Sequence, residues 1–131
     1  MVAWFESLTP ARVQEMGEYY AADAFFKDPF NEVRGLAQIQ AIFVRMFEQV
    51  DAPRFHVLSR VFDGAEGFLV WDLDFRFRGG KPARIHGVSH LKLGQDGRVV
   101  YHRDYWDAAE ELYEKVPVLG SFMRWVKHRV A

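Results

Sequence analysis

The chain has 131 residues, half of them hydrophobic and 16% aromatic, which fits one globular domain and excludes a disordered chain. Its formal net charge of -1 provides no basic excess for nucleic acid. It has no cysteine, which excludes disulfides and thiolate chemistry.

The opening segment "MVAWFESLTPARV" has neither a basic leader nor a long apolar run. No signal peptide and no membrane span is therefore expected, and the cytoplasm is the expected compartment. Thr9 is placed to cap a helix with Pro10 at its first position. Val13, Met16, Tyr20 and Ala24 continue at helical spacing and predict a helix through "SLTPARVQEMGEYYAAD". "FFKDPFNEVRG" is predicted to be irregular, with Asp28 held extended by Pro29. "LAQIQAIFVRMFEQV" then predicts an amphipathic helix with Leu36, Ile39, Phe43, Met46 and Phe47 on one side.

Strands dominate the middle of the chain. "RFHVLSRVFD" alternates. "GFLVWDLDFRFRGG" sets Trp71, Leu73, Phe75 and Phe77 on one face and Asp72, Asp74, Arg76 and Arg78 on the other, closing at a Gly79-Gly80 hairpin turn. "ARIHGVSHLKLGQDGRVVYHRDYWD" predicts two more strands joined across Gly94 to Gly97. "AAEELYEKV" reads as helical. A last helix is predicted from Pro117, with Leu119, Phe122, Met123, Val126 and Val130 on one stripe. No repeat or linker divides the chain, so one domain over residues 1–131 is expected. Helices followed by a four-stranded antiparallel meander make an α+β fold, a curved sheet wrapped around helices. Such a sheet leaves a cone-shaped cavity between its concave face and the helices.

The last strand carries either a reaction site or an ordinary salt-bridged surface. His102, Asp104 and Trp106 alternate, so they share one face. A carboxylate in an apolar cavity has its pKa raised by desolvation, which makes it a better base near neutrality. Trp71, Phe75, Trp106 and the Phe43/Phe47 face of the helix would supply the apolar wall. Each of these residues also has a plainer reading. Asp28 could brace a turn, His102 could be a satisfied core histidine, and Asp104 could make an ordinary cross-strand pair. By strand parity His86 and His90 look away from His102, so the three do not point to a metal site. No phosphate-binding glycine loop is present.

Two segments, "EYYAADAFFKDPF" and "GRVVYHRDYWDAAEEL", resemble the nuclear-transport-factor-2-like superfamily, in particular its SnoaL-like and ketosteroid-isomerase-like branches. The resemblance implies a cone-shaped, cystatin-like fold, to which the helix predicted from Pro117 would be an extra C-terminal element. Asp28-Pro29 matches the segment that carries the general base of ketosteroid isomerases. Asp104 matches the water-activating Asp of limonene-epoxide hydrolases, and His102 a residue that helps hold that water. There are also departures. A Tyr-bearing first helix is not expected ahead of Thr9, the oxyanion Asp position falls at Ser89, and the inward positions Trp71, Leu73 and Phe75 cannot protonate an epoxide.

The resemblance thus implies a small-molecule enzyme using Asp28, His102 and Asp104 for acid/base work, as an isomerase, hydrolase, hydratase or cyclase. Its pocket would be formed by Phe26, Phe43, Phe47, Trp71, Leu73, Phe75, Ser89 and Trp106. The expected partner is a small apolar molecule, with no cofactor, metal, nucleic acid or membrane. The alternative is a non-catalytic ligand-binding or dimerisation module of the same fold. The outer sheet face carries Asp72, Asp74, Arg76, His86, Val88, His90, Tyr101, Arg103 and Tyr105, and the resemblance implies a homodimer through it. The segment "SFMRWVKHRVA" is expected to close the mouth of the cone.

Overall fold

The computed structural model describes residues 1–108 and 110–111. A short helix α1 (Val2–Glu6) leads to α2 (Pro10–Val13) and a 3-10 turn (Gln14–Glu18). Then come β1 (Tyr20–Lys27), β2 (Glu32–Arg34), α3 (Leu36–Gln49), β3 (Val50–Asp63), β4 (Glu66–Phe77), β5 (Pro82–Leu93) and β6 (Val99–Tyr105). The six strands form one sheet in the order β2-β1-β6-β5-β4-β3. Every neighbouring pair is antiparallel except β1 and β6, which run parallel. This is the predicted α+β architecture, with β1 and β2 added to the predicted meander.

The extra strands come from the segments predicted as helix end and irregular loop. Thr9 does cap α2, its hydroxyl accepting from the Arg12 amide at 3.1 Å. The helix nevertheless tightens into the 3-10 turn and stops. Tyr20 and Ala24 lie on β1, not on a helix. A spacing of four residues satisfies a period of 3.6 and a period of 2 alike. Tyr20, Ala24 and Phe26 share the inward face as strand residues, each at most 2% exposed.

A first helix, not expected from the sequence, also exists in short form. α1 buries Trp4 and Phe5 against the core, and the Trp4 indole donates to the Arg12 carbonyl at 3.0 Å. Helix α3 follows the predicted pattern, with Ile39 and Phe43 buried.

The parity of the sheet matches the alternation in the sequence. Trp71, Leu73 and Phe75 are buried at 5%, 9% and 5% exposure. Asp72 and Asp74 face outward, where both meet Arg84, and Asp72 also meets His86. Gly87 sits opposite Trp71. A Cβ there would lie 2.5 Å from the Trp71 ring, so the absent side chain is what lets the indole lie flat across β5.

At the end of β6 the Asp107 side chain accepts from the Glu110 amide at 3.2 Å, which starts a helical turn. The predicted last helix and its pocket-closing role lie outside the described residues. Among the described residues no helix is long and apolar enough to cross a membrane.

Candidate active site

Between α3 and the concave face of the sheet lies a cavity of about 170 Å³. The sheet contributes Phe26, Phe55, Trp71, Leu73, Phe75, Ile85 and Asp104, with Trp106 just past the end of β6. Helix α3 contributes Ile42, Phe43, Arg45, Met46 and Gln49, and the loop after β1 contributes Asp28, Phe30 and Asn31. The wall is overwhelmingly apolar and its polar groups are few, which is the usual build of a small-molecule site.

The parallel register of β1 and β6 explains why two carboxylates meet here. Phe26 is level with His102 and Lys27 with Arg103. Asp28 therefore continues the β1 line beside Asp104. Both acids line the same cavity.

Asp104 anchors a buried hydrogen-bond chain. Its Oδ1 accepts from Ser89 Oγ at 2.5 Å and pairs with His102 Nε2 at 2.6 Å. Ser89 Oγ in turn accepts from the Trp71 indole at 2.8 Å. On the far side His102 Nδ1 meets the Tyr20 hydroxyl at 2.6 Å. An ionised Asp104 can only accept, so a neutral His102 would donate to it through Nε2 and accept a hydrogen bond from the Tyr20 hydroxyl on Nδ1. Burial, reinforced by the negative charge of Asp104, holds the Tyr20 hydroxyl protonated far above the ordinary tyrosine range, consistent with that donor role.

The chain thus holds the ring of His102 in place and occupies one oxygen of Asp104. The other oxygen makes no hydrogen bond among the described residues. Asp104 also lines a second, smaller cavity of about 20 Å³, together with Ser89 and His102.

Asp28 braces the turn and also lines the cavity. Its Oδ1 accepts from the amides of Phe30 and Asn31, at 2.8 and 2.6 Å, and bridges the turn. The Asn31 side-chain amide reaches both carboxylate oxygens at 3.0 Å. Burial raises the pKa of Asp28 above the ordinary carboxylate value. The hydrogen bonds from Phe30 and Asn31 oppose the shift, and the charge of Asp104 adds to it.

A raised folded-state pKa has a definite sign in the pH dependence of stability. The native state holds the Asp28 proton more tightly than the unfolded chain. The contribution is therefore complete below the ordinary carboxylate range and is lost as pH rises through the raised value. Asp28→Asn, which stays neutral and keeps an oxygen for the two backbone amides, is expected to flatten that part of the curve. Denaturant midpoints measured across the acid range, wild type against variant, check this. Parallel curves would mean that Asp28 is solvated.

Most of the residues predicted for the site are gathered around it, but Phe47, Ser89 and His102 do not line the larger cavity; Ser89 and His102 border the smaller one beside Asp104. Phe47 is half-buried and packs against the core from the side of α3. Ser89 lies behind the wall and is hydrogen-bonded to Asp104. His86 and His90 point outward to Asp72 and Glu66, away from His102. Sequence reasoning passed over Tyr20, taken as a helical core position, and Arg45, which lies outside the predicted apolar stripe of α3.

Residues 1–102 match the SnoaL-like domain family. No functionally curated protein matches the chain. Solved structures resemble it over most of its length. A protein from Catenulispora acidiphila with a ketosteroid isomerase-like fold, crystallised with trimethylamine, is 16% identical and superposes with a TM-score of 0.72 over 86% of this chain and 85% of that one. A provisionally assigned SnoaL-like polyketide cyclase from Shewanella denitrificans is 22% identical, with a TM-score of 0.69 over 87% of this chain and 96% of that one. A provisionally assigned isomerase of the SnoaL-like family from Agrobacterium tumefaciens is 20% identical, with a TM-score of 0.65 over 81% and 89%. The curved sheet, the cavity enclosed against α3 and a match spanning most of the sequence lead to one assignment: the chain belongs to the SnoaL-like domain family, with the nuclear-transport-factor-2-like fold.

Proposed function

We propose that the protein is a cofactor-independent acid/base enzyme of the isomerase or cyclase type, acting on a small, largely apolar molecule. The observation that carries this reading is the pair Asp28 and Asp104, side by side on one apolar cavity. Asp104 presents its unoccupied oxygen as the base, and Ser89 and His102 hold the carboxylate in place. Asp28, with its raised pKa, retains a proton to higher pH than an ordinary carboxyl and is the matching acid. Removal of a proton at one carbon or oxygen and its return at another is the common step of isomerisation and aldol-type cyclisation.

A screen of enones, lactones and β-dicarbonyl compounds in deuterated water tests this reading. Deuterium entering a carbon next to a carbonyl, at a rate that depends on Asp104, supports it. No exchange above the buffer rate across the panel counts against it.

A second reading has its own support. Aromatic walls with two carboxylates also suit a small methylated ammonium ion held without turnover, and the Catenulispora relative is bound to trimethylamine.

We further propose that a second copy of the chain covers the outer sheet face. That face carries both signs of charge and a run of ring contacts, Phe25 on Tyr101, Tyr101 against His90 and His90 on Phe68. Such a mixture is self-complementary under two-fold symmetry. Phe68 and Tyr105 remain 42% and 47% exposed on the single chain. Sedimentation of an Arg103→Ala/Tyr105→Ala double variant is expected to show a shift from dimer to monomer. An unchanged coefficient would refute this interface.

A further inference from the structure

We infer that the substrate or ligand of this cavity carries an anionic group, a carboxylate in the simplest case, and that Arg45 receives it. The inference rests on the cavity being the reaction site, and it names the class of molecule that enters. Arg45 and Gln49 stand one turn apart on α3, so their side chains emerge on the same face of the helix. Both line the cavity.

Two cations on the sheet have their charges matched within it. Arg84 meets Asp72 and Asp74, and Lys27 meets Glu32. Arg45 is different. No ion pair or hydrogen bond joins it to any described residue, and neither Asp28 nor Asp104 lies within salt-bridge reach of it. It is half-buried, at the edge of an apolar wall made by Met46, Phe75 and Leu73.

A guanidinium with no partner among the described residues, beside an apolar cavity, presents five donors in a planar fork. That fork matches a carboxylate with two parallel hydrogen bonds. The Gln49 amide adds a neutral donor beside it. Helix α3 thus supplies the cation on one wall, while β6 and the end of β1 supply the two acids on the other. A molecule with an anionic head and an apolar, enolisable body would be oriented by this arrangement, its head on Arg45 and its reacting carbons toward Asp104.

The inference is tested by direct binding, read through the fluorescence of Trp71 and Trp106, with three probes of one chain length. These are octanoate, octanamide and octyltrimethylammonium. Octanoate is expected to bind the wild type roughly tenfold or more tightly than octanamide, the usual worth of a charge-assisted hydrogen bond. Arg45→Met keeps the apolar stem but removes the fork. It is expected to abolish that preference while leaving octanamide binding as it was, and Arg45→Lys to restore part of it. Equal affinity for octanoate and octanamide, an equal loss of both in Arg45→Met, a preference for the ammonium, or no octanoate binding at all would overturn the inference. None of these measurements involves turnover, so they test the anion site even where the acid/base reading fails.

Discussion

Asp104→Asn is expected to reduce turnover by about a thousandfold, within the range of a positioned general acid or base, while leaving the fold and ligand binding nearly unchanged. The hydrogen-bond chain is what makes this substitution clean. Oδ1 of Asp104 accepts from Ser89 and His102, and an Asn side chain can turn its carbonyl oxygen to the same two donors. Its NH2 group then stands where the unoccupied carboxylate oxygen was. That position loses both its charge and its ability to take a proton, while the volume stays the same. Once a substrate is in hand, kcat is expected to fall with little change in KM, as for an interaction made in the transition state. A ligand-binding module would respond differently, with altered affinity and no rate to lose. A variant that turns over at more than a tenth of the wild-type rate would remove Asp104 as the base and return the strand to sheet architecture.

How far the sequence could foresee this site depends on where each signal lies. Strict alternation in "FLVWDLDFRF" set the parity of β4, and with it Trp71, Leu73 and Phe75 as cavity wall. A one-residue slip would have turned every one of them outward. His102 and Asp104 followed from the same rule on β6. Tyr20 did not. Its spacing from Met16 and Ala24 suits helix and strand equally, and only the parallel pairing of β1 with β6 brings it to His102, 82 positions away in sequence. No local pattern encodes a pairing over that distance. Asp28 could be read as a turn residue or a pocket residue from Asp-Pro alone, and it braces the turn and lines the cavity at once because that turn opens onto it. Phe47 was misplaced for a simpler reason. An apolar stripe on a helix is wider than the cavity it borders, and the residue at its margin packs against the core without reaching the pocket.

The largest effect on stability is expected at His102. His102→Ala should cost about 3–5 kcal/mol, the range for emptying a large buried site and stranding polar partners together. The ring is only 2% exposed and is packed by Phe26 at 4.8 Å and Phe5 at 6.1 Å between centroids. Its removal leaves a void among these rings, deprives the Tyr20 hydroxyl of its acceptor, and takes one of the two donors from Asp104. Against a total stability of about 5–15 kcal/mol for a domain of this kind, such a loss lowers the melting temperature by about 10–20 °C. Tyr20→Phe separates the two contributions. It keeps the aromatic packing and removes only the proton donor to Nδ1, so about 1–2 kcal/mol is expected. Thermal melts of the two variants beside the wild type distinguish the cases. If His102→Ala costs no more than Tyr20→Phe, the ring is not a structural brace and its place beside Asp104 serves the reaction itself. If the large difference is found, His102 acts on Asp104 by holding it still, and the reactivity of the site belongs to the carboxylates.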